Sequence, residues 1–331
     1  MKKAAIGLLA SVLLAIGGCG KQESASSSAG PSSQPRDAKL TIAVIPKGTT
    51  HAFWRSVEAG ANAAGTELGV KVIFKGPLRE DDAAGQIGLV EQFTADNVSG
   101  IVLAPLNDSA LLRPVQAATE KKIPVVIIDS GLKGEAGKDY VSFVSTNNKL
   151  GGAMAGDEMT RLLGGKGKLV LLRYASFSAS TNEREAGFLE SIHKSPDFSM
   201  LVDNRYGGAT EGESQQAAEN LLDQLKQADG VFCPNESSTL GMLKVLQQNS
   251  LTSKAKFIGF DATPREVEAL KKGDIAALVS QNPFKMGYEG VKTCVESIQG
   301  KTVEKIIDSS AKLITRENLD NPDVQKLLSA G

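Results

Sequence analysis

Short apolar runs alternate with longer amphipathic segments along the chain from residue 40 onwards. Several of the runs are unbroken stretches of Val, Ile and Leu, a pattern typical of strands that are buried on both faces of a parallel sheet. The runs predict eleven strands, at residues 40–46, 70–75, 100–105, 124–129, 140–145, 168–173, 200–205, 230–234, 256–260, 275–280 and 311–315.

The segments between these runs carry apolar residues at helical spacing. They predict helices at residues 53–68, 83–95, 110–121, 150–163, 181–193, 213–227, 238–248 and 285–299. Alternating strands and helices are typical of a doubly wound α/β fold. Eleven strands exceed one ordinary sheet of about five or six, and the pattern divides near Thr146 and Asn147 into two similar halves. We therefore predict two α/β units.

The first 38 residues have a different pattern. Lys2 and Lys3 precede an apolar stretch, residues 4–18, that is too short to favour a membrane-spanning helix, and Cys19 follows it directly. The end of this stretch, "IGGC", resembles the cleavage site of a bacterial lipoprotein. We predict a signal peptide over 1–18, lipidation of Cys19 and a flexible Ser-, Pro- and Gly-rich tether over 19–38. An uncleaved anchor helix with an incidental cysteine is the alternative.

Composition narrows the possible functions. A net charge of −1 over 331 residues argues against nucleic acid or an anionic membrane surface as the main partner. The chain has two histidines and no Cys-Cys or Cys-His metal spacing, which excludes a His-rich metal site. Cys233 and Cys294 lie in apolar segments and are predicted to be buried thiols, with one disulfide as the most that they could form.

Nothing in the sequence indicates a cofactor or an active site. The glycine-rich stretches at 134–139 and 164–168 lack the hydroxyl residue of a phosphate-binding loop, and no GxGxxG opens the first helix. No Ser-His-Asp order occurs in a plausible context. We therefore predict a binding protein without a cofactor rather than an enzyme.

Polar and aromatic side chains follow the predicted strands of both halves. In open parallel sheets, ligands bind beyond the carboxyl ends of the strands. The candidate ligand-binding residues are Lys47, His51, Phe53 and Trp54 after the first strand, Asp129 after the fourth, Thr146 after the fifth, Arg184 after the sixth, Asn235 after the eighth, Asp261 after the ninth and Gln281 after the tenth.

This combination suits a sugar. A sugar has apolar C–H faces, on which aromatic rings stack, and a rim of hydroxyl groups that both donate and accept hydrogen bonds. Fixed carboxylate, amide and guanidinium groups match such a rim, and each unpaired buried polar group costs about 1–3 kcal/mol, so the site would reject mismatched stereochemistry.

Seven of the ten candidates have a structural alternative. Phe53 and Trp54 could provide core packing with one exposed ring, and His51 could be an exposed turn residue. Asp129 and Asp261 could cap turns, and Asn235 could cap a helix. Arg184 could form a solvated ion pair with Glu183 or Glu190, which would contribute little.

Several segments together resemble a known family. They are "AFWRSVEAGAN", "GIVLAPLNDSAL", "IPVVIIDSG", "VSTNNKLGGAMAGD", "NEREAGF", "NESSTLGMLKVL", "IGFDATP" and "VSQNPFKMGYEGV", and they extend over nearly all of the chain after the tether. The chain resembles the periplasmic sugar-binding proteins of the ribose type, which are substrate-binding components of ABC transporters. "KGTTHAFW" and "QNP" are closer to the allose-binding branch.

The resemblance implies a type I periplasmic binding protein: two doubly wound Rossmann-like lobes joined by a three-segment hinge that closes on the ligand. The first lobe would comprise residues 39–146 and 282–310, and the second 147–281 and 311–331. It further implies that Phe53 and Trp54 stack on the sugar, that Asp129, Arg184, Asn235, Asp261 and Gln281 bind its hydroxyls, and that Lys47 and Thr146 occupy binding positions.

The sequence departs from the family pattern at three places. His51 replaces an asparagine, and Ser130 follows Asp129 where ribose binders have an arginine. An aromatic residue expected near Ala209 is absent, so Tyr206 or Thr210 is expected to take its place.

The resulting hypothesis is a monomeric, lipid-anchored protein at the periplasmic or cell-surface side of a membrane. It would capture a monosaccharide, a hexose or a pentose, and deliver it to an ABC transporter permease. The alternatives are a sensing role that feeds a chemoreceptor or sensor kinase, or binding of an autoinducer-type furanose or a polyol on the same fold.

Overall fold

The computed structural model describes residues 39–329. The predicted signal peptide (1–18), Cys19 and the rest of the predicted tether up to residue 38 lie outside the described residues, as do the last two residues of the predicted second lobe. No helix within 39–329 combines the length and the apolar character that crossing a membrane requires.

The described part alternates between strands and helices. The strands are β1 (Thr41–Ile45), β2 (Lys71–Phe74), β3 (Gly100–Leu103), β4 (Val125–Ile128), β5 (Ser142–Ser145), β6 (Lys166–Arg173), β7 (Asp197–Tyr206), β8 (Gly230–Phe232), β9 (Lys256–Phe260), β10 (Ala277–Gln281), β11 (Ile306–Asp308) and β12 (Ala311–Thr315). The helices are α1 (Ala52–Glu67), α2 (Ala83–Ala95), α3 (Leu112–Glu120), α4 (Asn148–Leu163), α5 (Ala179–Ile192), α6 (Glu211–Glu219), α7 (Leu222–Leu225), α8 (Glu236–Gln248), α9 (Pro264–Lys272), α10 (Pro283–Ile298) and α11 (Pro322–Ser329).

The strands form two six-stranded sheets with the same layout. The spatial order is β11-β5-β4-β3-β1-β2 in the first sheet and β12-β10-β9-β8-β6-β7 in the second. All neighbouring strands run parallel except β10 and β12, which are antiparallel. The predicted α/β fold class with two doubly wound lobes is confirmed.

The chain passes between the two sheets three times. It leaves the first sheet after β5 and enters α4, which packs on β9 and β10. It returns after β10 into α10, which packs on β3 and β4. It crosses again between β11, which pairs with β5, and β12, which pairs with β10. Three connections side by side form a hinge about which two lobes can move.

The structure differs from the predicted elements in four details. β11 was not predicted, because its three residues form a strand only by pairing with β5. The predicted helix 213–227 is interrupted, and α6 and α7 are separate. The short helices α9 and α11 were also not predicted, although α9 has clear end signals: a Thr263 capping box, Pro264 in its first turn and Gly273 in the left-handed conformation after its last turn.

The continuous apolar runs are buried on both faces of their sheets, as predicted. β1 and β3 contribute side chains to the apolar clusters on both sides of the first sheet, and β6 and β8 do the same in the second. Each lobe contains one cysteine in its core: Cys294 of α10 in the first and Cys233, just after β8, in the second. Both are free thiols, as predicted.

Candidate ligand site between the two lobes

A cavity lies between the lobes, beyond the carboxyl ends of β1, β4, β6, β8, β9 and β10. This is the place where open α/β sheets bind ligands. Nine of the ten predicted residues line it: Lys47, His51, Phe53, Trp54, Asp129, Arg184, Asn235, Asp261 and Gln281. The space left between the side chains is about 30 Å³, little more than a water molecule needs. A sugar ring would therefore have to separate side chains that are now bonded to each other.

Lys47 and Asp129 form a buried ion pair on the first-lobe side of the cavity. Lys47 Nζ lies 2.7 Å from Asp129 Oδ2 and donates a hydrogen bond of 3.0 Å to Ser180 Oγ of the second lobe. Separating a buried ion pair is costly, because each charge is then left without compensation. The pair therefore holds both side chains in place at the cavity wall.

Asp129 and Asp261 are held in the same unusual backbone conformation at the ends of β4 and β9. Their φ angles are 63° and 79°, in the left-handed region that non-glycine residues adopt at a cost and that Asp and Asn tolerate best. Asp129 pairs with Lys47 rather than with a helix terminus. Asp261 does not cap α9, which Thr263 caps, but its Oδ2 accepts from the backbone N–H of Glu236, the first residue of α8. The capping alternative is therefore wrong for Asp129, and both carboxylates lie at the cavity.

Arg184 is buried in the second lobe rather than paired at the surface. Its Nε donates to Asn148 Oδ1 at 2.8 Å, its Nη1 donates to the Pro234 carbonyl at 2.9 Å, and its guanidinium lies 4.0 Å above the Phe260 ring. The proposed ion pair with Glu183 or Glu190 is not formed, and burial lowers the pKa of Arg184.

Close helix packing fixes the position of Arg184. Gly152 of α4 faces the backbone of Arg184 in α5, and a Cβ atom at Gly152 would lie 1.9 Å from the Arg184 carbonyl oxygen. A glycine at position 152 thus lets the two helices approach closely enough to hold the guanidinium at the cavity.

A chain of hydrogen bonds links the cavity to all three crossings of the hinge. Asp261 Oδ2 accepts from the Glu236 backbone N–H at 2.8 Å, and Asp261 Oδ1 accepts from Gln281 Nε2 at 2.7 Å. Thr146 Oγ1 donates to Gln281 Oε1 at 3.0 Å and lies 3.3 Å from Ser309 Oγ. Thr146 does not line the cavity; it lies in the hinge and contacts Gln281. Burial raises the pKa of Asp261 to about 6.

Glu236 connects the second lobe to helix α1 of the first. Its two carboxylate oxygens accept hydrogen bonds of 3.0 Å each from the backbone N–H groups of Ala52 and Phe53. Helix α1 has no side-chain cap at His51 and no acidic residue in its first turn. The carboxylate of the opposite lobe therefore satisfies two free donors and the positive end of the α1 dipole.

Glu80, in the loop between β2 and α2, is the centre of a buried network. Its Oε1 lies 2.8 Å from His51 Nδ1 and accepts from Trp54 Nε1 at 2.5 Å, while its Oε2 accepts from the Tyr174 hydroxyl of the second lobe at 2.8 Å. Burial opposes both charges, but mutual attraction prevails: the pKa of His51 rises to about 9, and that of Glu80, which also faces Lys47, falls to about 2. His51 is thus a charged partner of Glu80 and not an exposed turn residue.

The two adjacent aromatic residues play different parts. Their rings meet edge to face, with centroids 4.9 Å apart. The Trp54 side chain is 2% exposed and is anchored through its indole N–H to Glu80, whereas Phe53 is only partly buried. Phe53 is accordingly the ring better placed to cover a ligand, and Trp54 belongs largely to the core.

Several expectations about the second lobe need correction. Tyr206 is 47% exposed and lines a different cavity, and Thr210 caps α6. Tyr174 is the second-lobe aromatic residue at the candidate site.

Asn235 lines the cavity and is also the N-cap of α8, where its Oδ1 accepts from the Ser238 N–H at 3.3 Å. Ser130 Oγ accepts a hydrogen bond of 3.2 Å from the Ser180 backbone across the cleft.

Six further residues that were not predicted line the cavity: Glu80, Tyr174, Ser178, Ser180, Thr181 and Glu236. Tyr174 directly follows β6, and Glu236 directly follows Asn235. Both could have been predicted, because ligands bind beyond the carboxyl ends of the strands. Within residues 39–329, no group of three or more His, Cys, Asp or Glu side chains is arranged to hold a metal ion.

Residues 42–302 match the family model described as a periplasmic binding protein domain. Among curated proteins, the ribose import binding protein RbsB of Haemophilus influenzae is 29% identical over 285 residues, which cover 86% of this chain and 94% of the relative. The D-allose-binding periplasmic protein of Escherichia coli is 27% identical over 286 residues, with 82% and 91% covered.

Solved structures give the same assignment. A carbohydrate transporter solute-binding protein from Agrobacterium radiobacter, in complex with D-arabinose, is 34% identical with a TM-score of 0.84 and covers 88% of this chain and 99% of its own. An ABC transporter solute-binding protein from Agrobacterium vitis with bound D-fucose is 32% identical with a TM-score of 0.84, with 87% and 99% covered. These matches confirm the resemblance to the ribose and allose type. The chain belongs to the periplasmic binding protein family.

Proposed function

We propose that this protein captures a monosaccharide, a hexose or a pentose, between its two lobes and delivers it to an ABC transporter permease. The lobes would comprise residues 39–146 with 282–310 and residues 147–281 with 311–331. Relatives with bound D-arabinose and D-fucose, and others named as ribose and allose binders, support this class of ligand. These relatives are binding proteins of transport systems and not enzymes.

One observation carries the proposal: polar groups from opposite lobes converge on one cavity beside an aromatic ring. Asp129 and Lys47 face it from the first lobe, Asp261 and Arg184 face it from the second, and Phe53 borders it. Hydroxyl groups of a sugar can replace the bonds that these side chains now make with each other, so a ligand would pair with the same charged groups. Binding would then depend on both lobes at once.

A thermal-shift screen of the purified chain tests this proposal. The panel contains hexoses, pentoses, polyols, nucleosides and amino acids. A ligand that binds only the folded state stabilises it by about 2.7 kcal/mol at a hundredfold excess over its dissociation constant. We expect a shift with one or a few monosaccharides. No shift with any sugar, together with a shift from another class, would contradict the proposal.

Substitutions in the cavity test whether a sugar that raises the melting temperature binds at the candidate site. Asp129→Ala and Asp261→Ala should each abolish most of the affinity while the protein remains folded. Asp223→Ala, at a carboxylate that is 90% exposed on the second lobe, is the matched control and should bind normally. Wild-type affinity in both cavity variants would show that the sugar binds elsewhere.

We also propose that Cys19 is lipidated and anchors the protein to a membrane. The support is the sequence pattern around Cys19. Mass spectrometry of the protein from membranes should show a diacylglyceryl group on Cys19, and Cys19→Ser should release the protein into the soluble fraction. An unmodified Cys19 on an uncleaved chain would support the anchor-helix alternative.

A further inference from the structure

A second cavity, of about 320 Å³, lies beside the candidate site. We call it the side cavity. Three residues, Phe53, Asp261 and Gln281, line both cavities. The volume falls in the range of small-molecule sites, about 300–1,000 Å³, whereas the candidate site itself leaves about 30 Å³. The side cavity therefore provides a space of ligand size that adjoins three residues of the candidate site.

The walls of the side cavity combine apolar surface with hydroxyl groups. Pro264 and Val267 of α9 and Leu327 and Leu328 of α11 provide the apolar part. Ser56 of α1 also lines it, and the Ser56 Oγ atom is buried without a hydrogen-bond partner in the described part of the chain. A buried hydroxyl without a partner is unfavourable, so a ligand group that bonds to it removes this cost.

The side cavity reaches the protein surface. Three of its lining residues, Lys271, Gln325 and Ser329, are exposed to solvent. Its walls come from both lobes, with Ala52 and Ser56 from the first and α9 and α11 from the second. A group that occupies it contacts both lobes and extends from the cleft towards solvent.

We propose that the side cavity is a subsite for a second sugar ring, so that the protein binds a disaccharide whose other ring occupies the cleft. The apolar walls match the C–H faces of a pyranose, and Ser56 Oγ can bond to a ring hydroxyl. Phe53, Asp261 and Gln281 lie where the linkage between the two rings would pass. This inference rests on the proposed function, because it requires that the cleft binds a sugar.

A third cavity, of about 480 Å³, lies near the cleft but is a weaker candidate. It shares only Tyr174 with the ligand site, and Tyr174 is 1% exposed and forms the wall between them. The third cavity therefore provides a control for the side cavity. Ala217 lines it and lies on the same lobe as Val267.

Calorimetric titration of the full chain tests the proposal. The probes are D-ribose, D-allose, D-arabinose, D-fucose, glucose, galactose and xylose, their methyl glycosides in both anomers, and α- and β-linked disaccharides of the same sugars. We expect at least one disaccharide to bind as tightly as its parent monosaccharide, or more tightly. Binding of monosaccharides with exclusion of every disaccharide would overturn the subsite while leaving the proposed function intact. Absence of binding by every sugar would refute both.

Two variants locate the second ring. Val267→Trp should fill the side cavity and weaken disaccharide binding at least tenfold, with monosaccharide binding unchanged. Ser56→Ala should weaken disaccharide binding about fivefold, the effect of one neutral hydrogen bond. Because Ser56→Ala removes an unpaired hydroxyl, its melting temperature should be equal to or above that of the wild type, which separates a binding effect from a folding defect.

The matched control is Ala217→Trp, which fills the third cavity instead. It should leave both affinities unchanged. Loss of disaccharide binding in Ala217→Trp, with none in Val267→Trp and Ser56→Ala, would place the second ring in the third cavity and overturn the proposal. Equal losses for monosaccharides and disaccharides in Val267→Trp and Ser56→Ala would also overturn it, because the side cavity would then have no selective role.

Discussion

The side-chain amide of Gln281 donates a hydrogen bond of 2.7 Å to Asp261, and the carbonyl of the same amide accepts one from Thr146. One residue thus joins a carboxylate of the candidate site to the hinge. A ligand that replaced the bond between Gln281 and Asp261 would leave the Gln281 side chain bonded only to the hinge residue Thr146.

Gln281→Leu should weaken sugar binding by about ten- to a hundredfold, because it removes a buried donor to Asp261 and the acceptor of the Thr146 hydroxyl. Calorimetric titration measures the change. Gln247→Leu is the control: Gln247 makes a similar amide-to-Asp bond, 2.8 Å to Asp274, on the surface of the same lobe. Equal affinities in the two variants would show that the bond to Asp261 has no special role.

Glu236→Gln should weaken sugar binding about tenfold and shift the lobes towards an open arrangement. The amide retains one acceptor for the Ala52 and Phe53 N–H groups but loses the charge that stabilises the α1 terminus. Small-angle scattering with and without ligand measures the opening. In Glu211→Gln, a bidentate contact to Arg265 within one lobe is weakened, and neither affinity nor shape should change.

Phe53→Leu and Trp54→Phe should have separate effects. Phe53→Leu removes a partly exposed ring beside the cavity and should reduce affinity with little loss of stability. Trp54→Phe keeps a ring in the core but takes a donor from buried Glu80, so it should lower the free energy of unfolding by about 1–3 kcal/mol. Chemical denaturation and titration distinguish the two. If Trp54→Phe reduced the affinity and Phe53→Leu reduced the stability instead, Trp54 would be the stacking ring.

The His51–Glu80 pair should make stability depend on pH on both sides of a plateau. The pKa of His51 is raised from 6.5 to about 9, so its contribution is complete below pH 6.5 and is lost as the pH rises through 9. The pKa of Glu80 is lowered from 4.5 to about 2, so its contribution is complete above pH 4.5 and is lost as the pH falls through 2. The two shifts describe one interaction, worth on the order of 3 kcal/mol.

Denaturant unfolding between pH 5 and pH 10 measures this dependence. In His51→Gln the decline of stability between pH 6.5 and 9 should be absent. His193→Gln provides the control, since His193 is the other histidine of the chain and is exposed. If the stability of His51→Gln declines between pH 6.5 and 9 as much as that of the wild type, the decline is caused by other groups.

The fold could be predicted from the sequence because its strands are locally encoded. The buried runs of β1, β3 and β4 are apolar on both faces, and each is followed by a helix or a turn. β11 could not be predicted, because Ile306 is 70% exposed and the segment becomes a strand only through its partner β5. Pairing between distant segments leaves little trace in local composition.

The candidate site was predictable where its residues directly follow a strand, as Lys47, Asp129 and Asp261 do. Glu80 shows the limit. It lies in a long loop beside other charged residues, Arg79, Asp81 and Asp82, of which Arg79 and Asp81 pair with each other at the surface. Glu80 turns inward towards His51, Trp54 and Tyr174, and the positions of these partners depend on the assembled fold.

The two buried cysteines allow each lobe to be observed separately. A fragment that begins at Lys39 contains only Cys233 and Cys294, one in the core of each lobe. Burial raises the pKa of Cys294 to about 12 and that of Cys233 well above its usual value, so neither thiol reacts until its surroundings open. The rate at which each cysteine is alkylated thus reports local opening of its own lobe. Comparing the two rates with and without ligand in the cleft would show which lobe the ligand stabilises more.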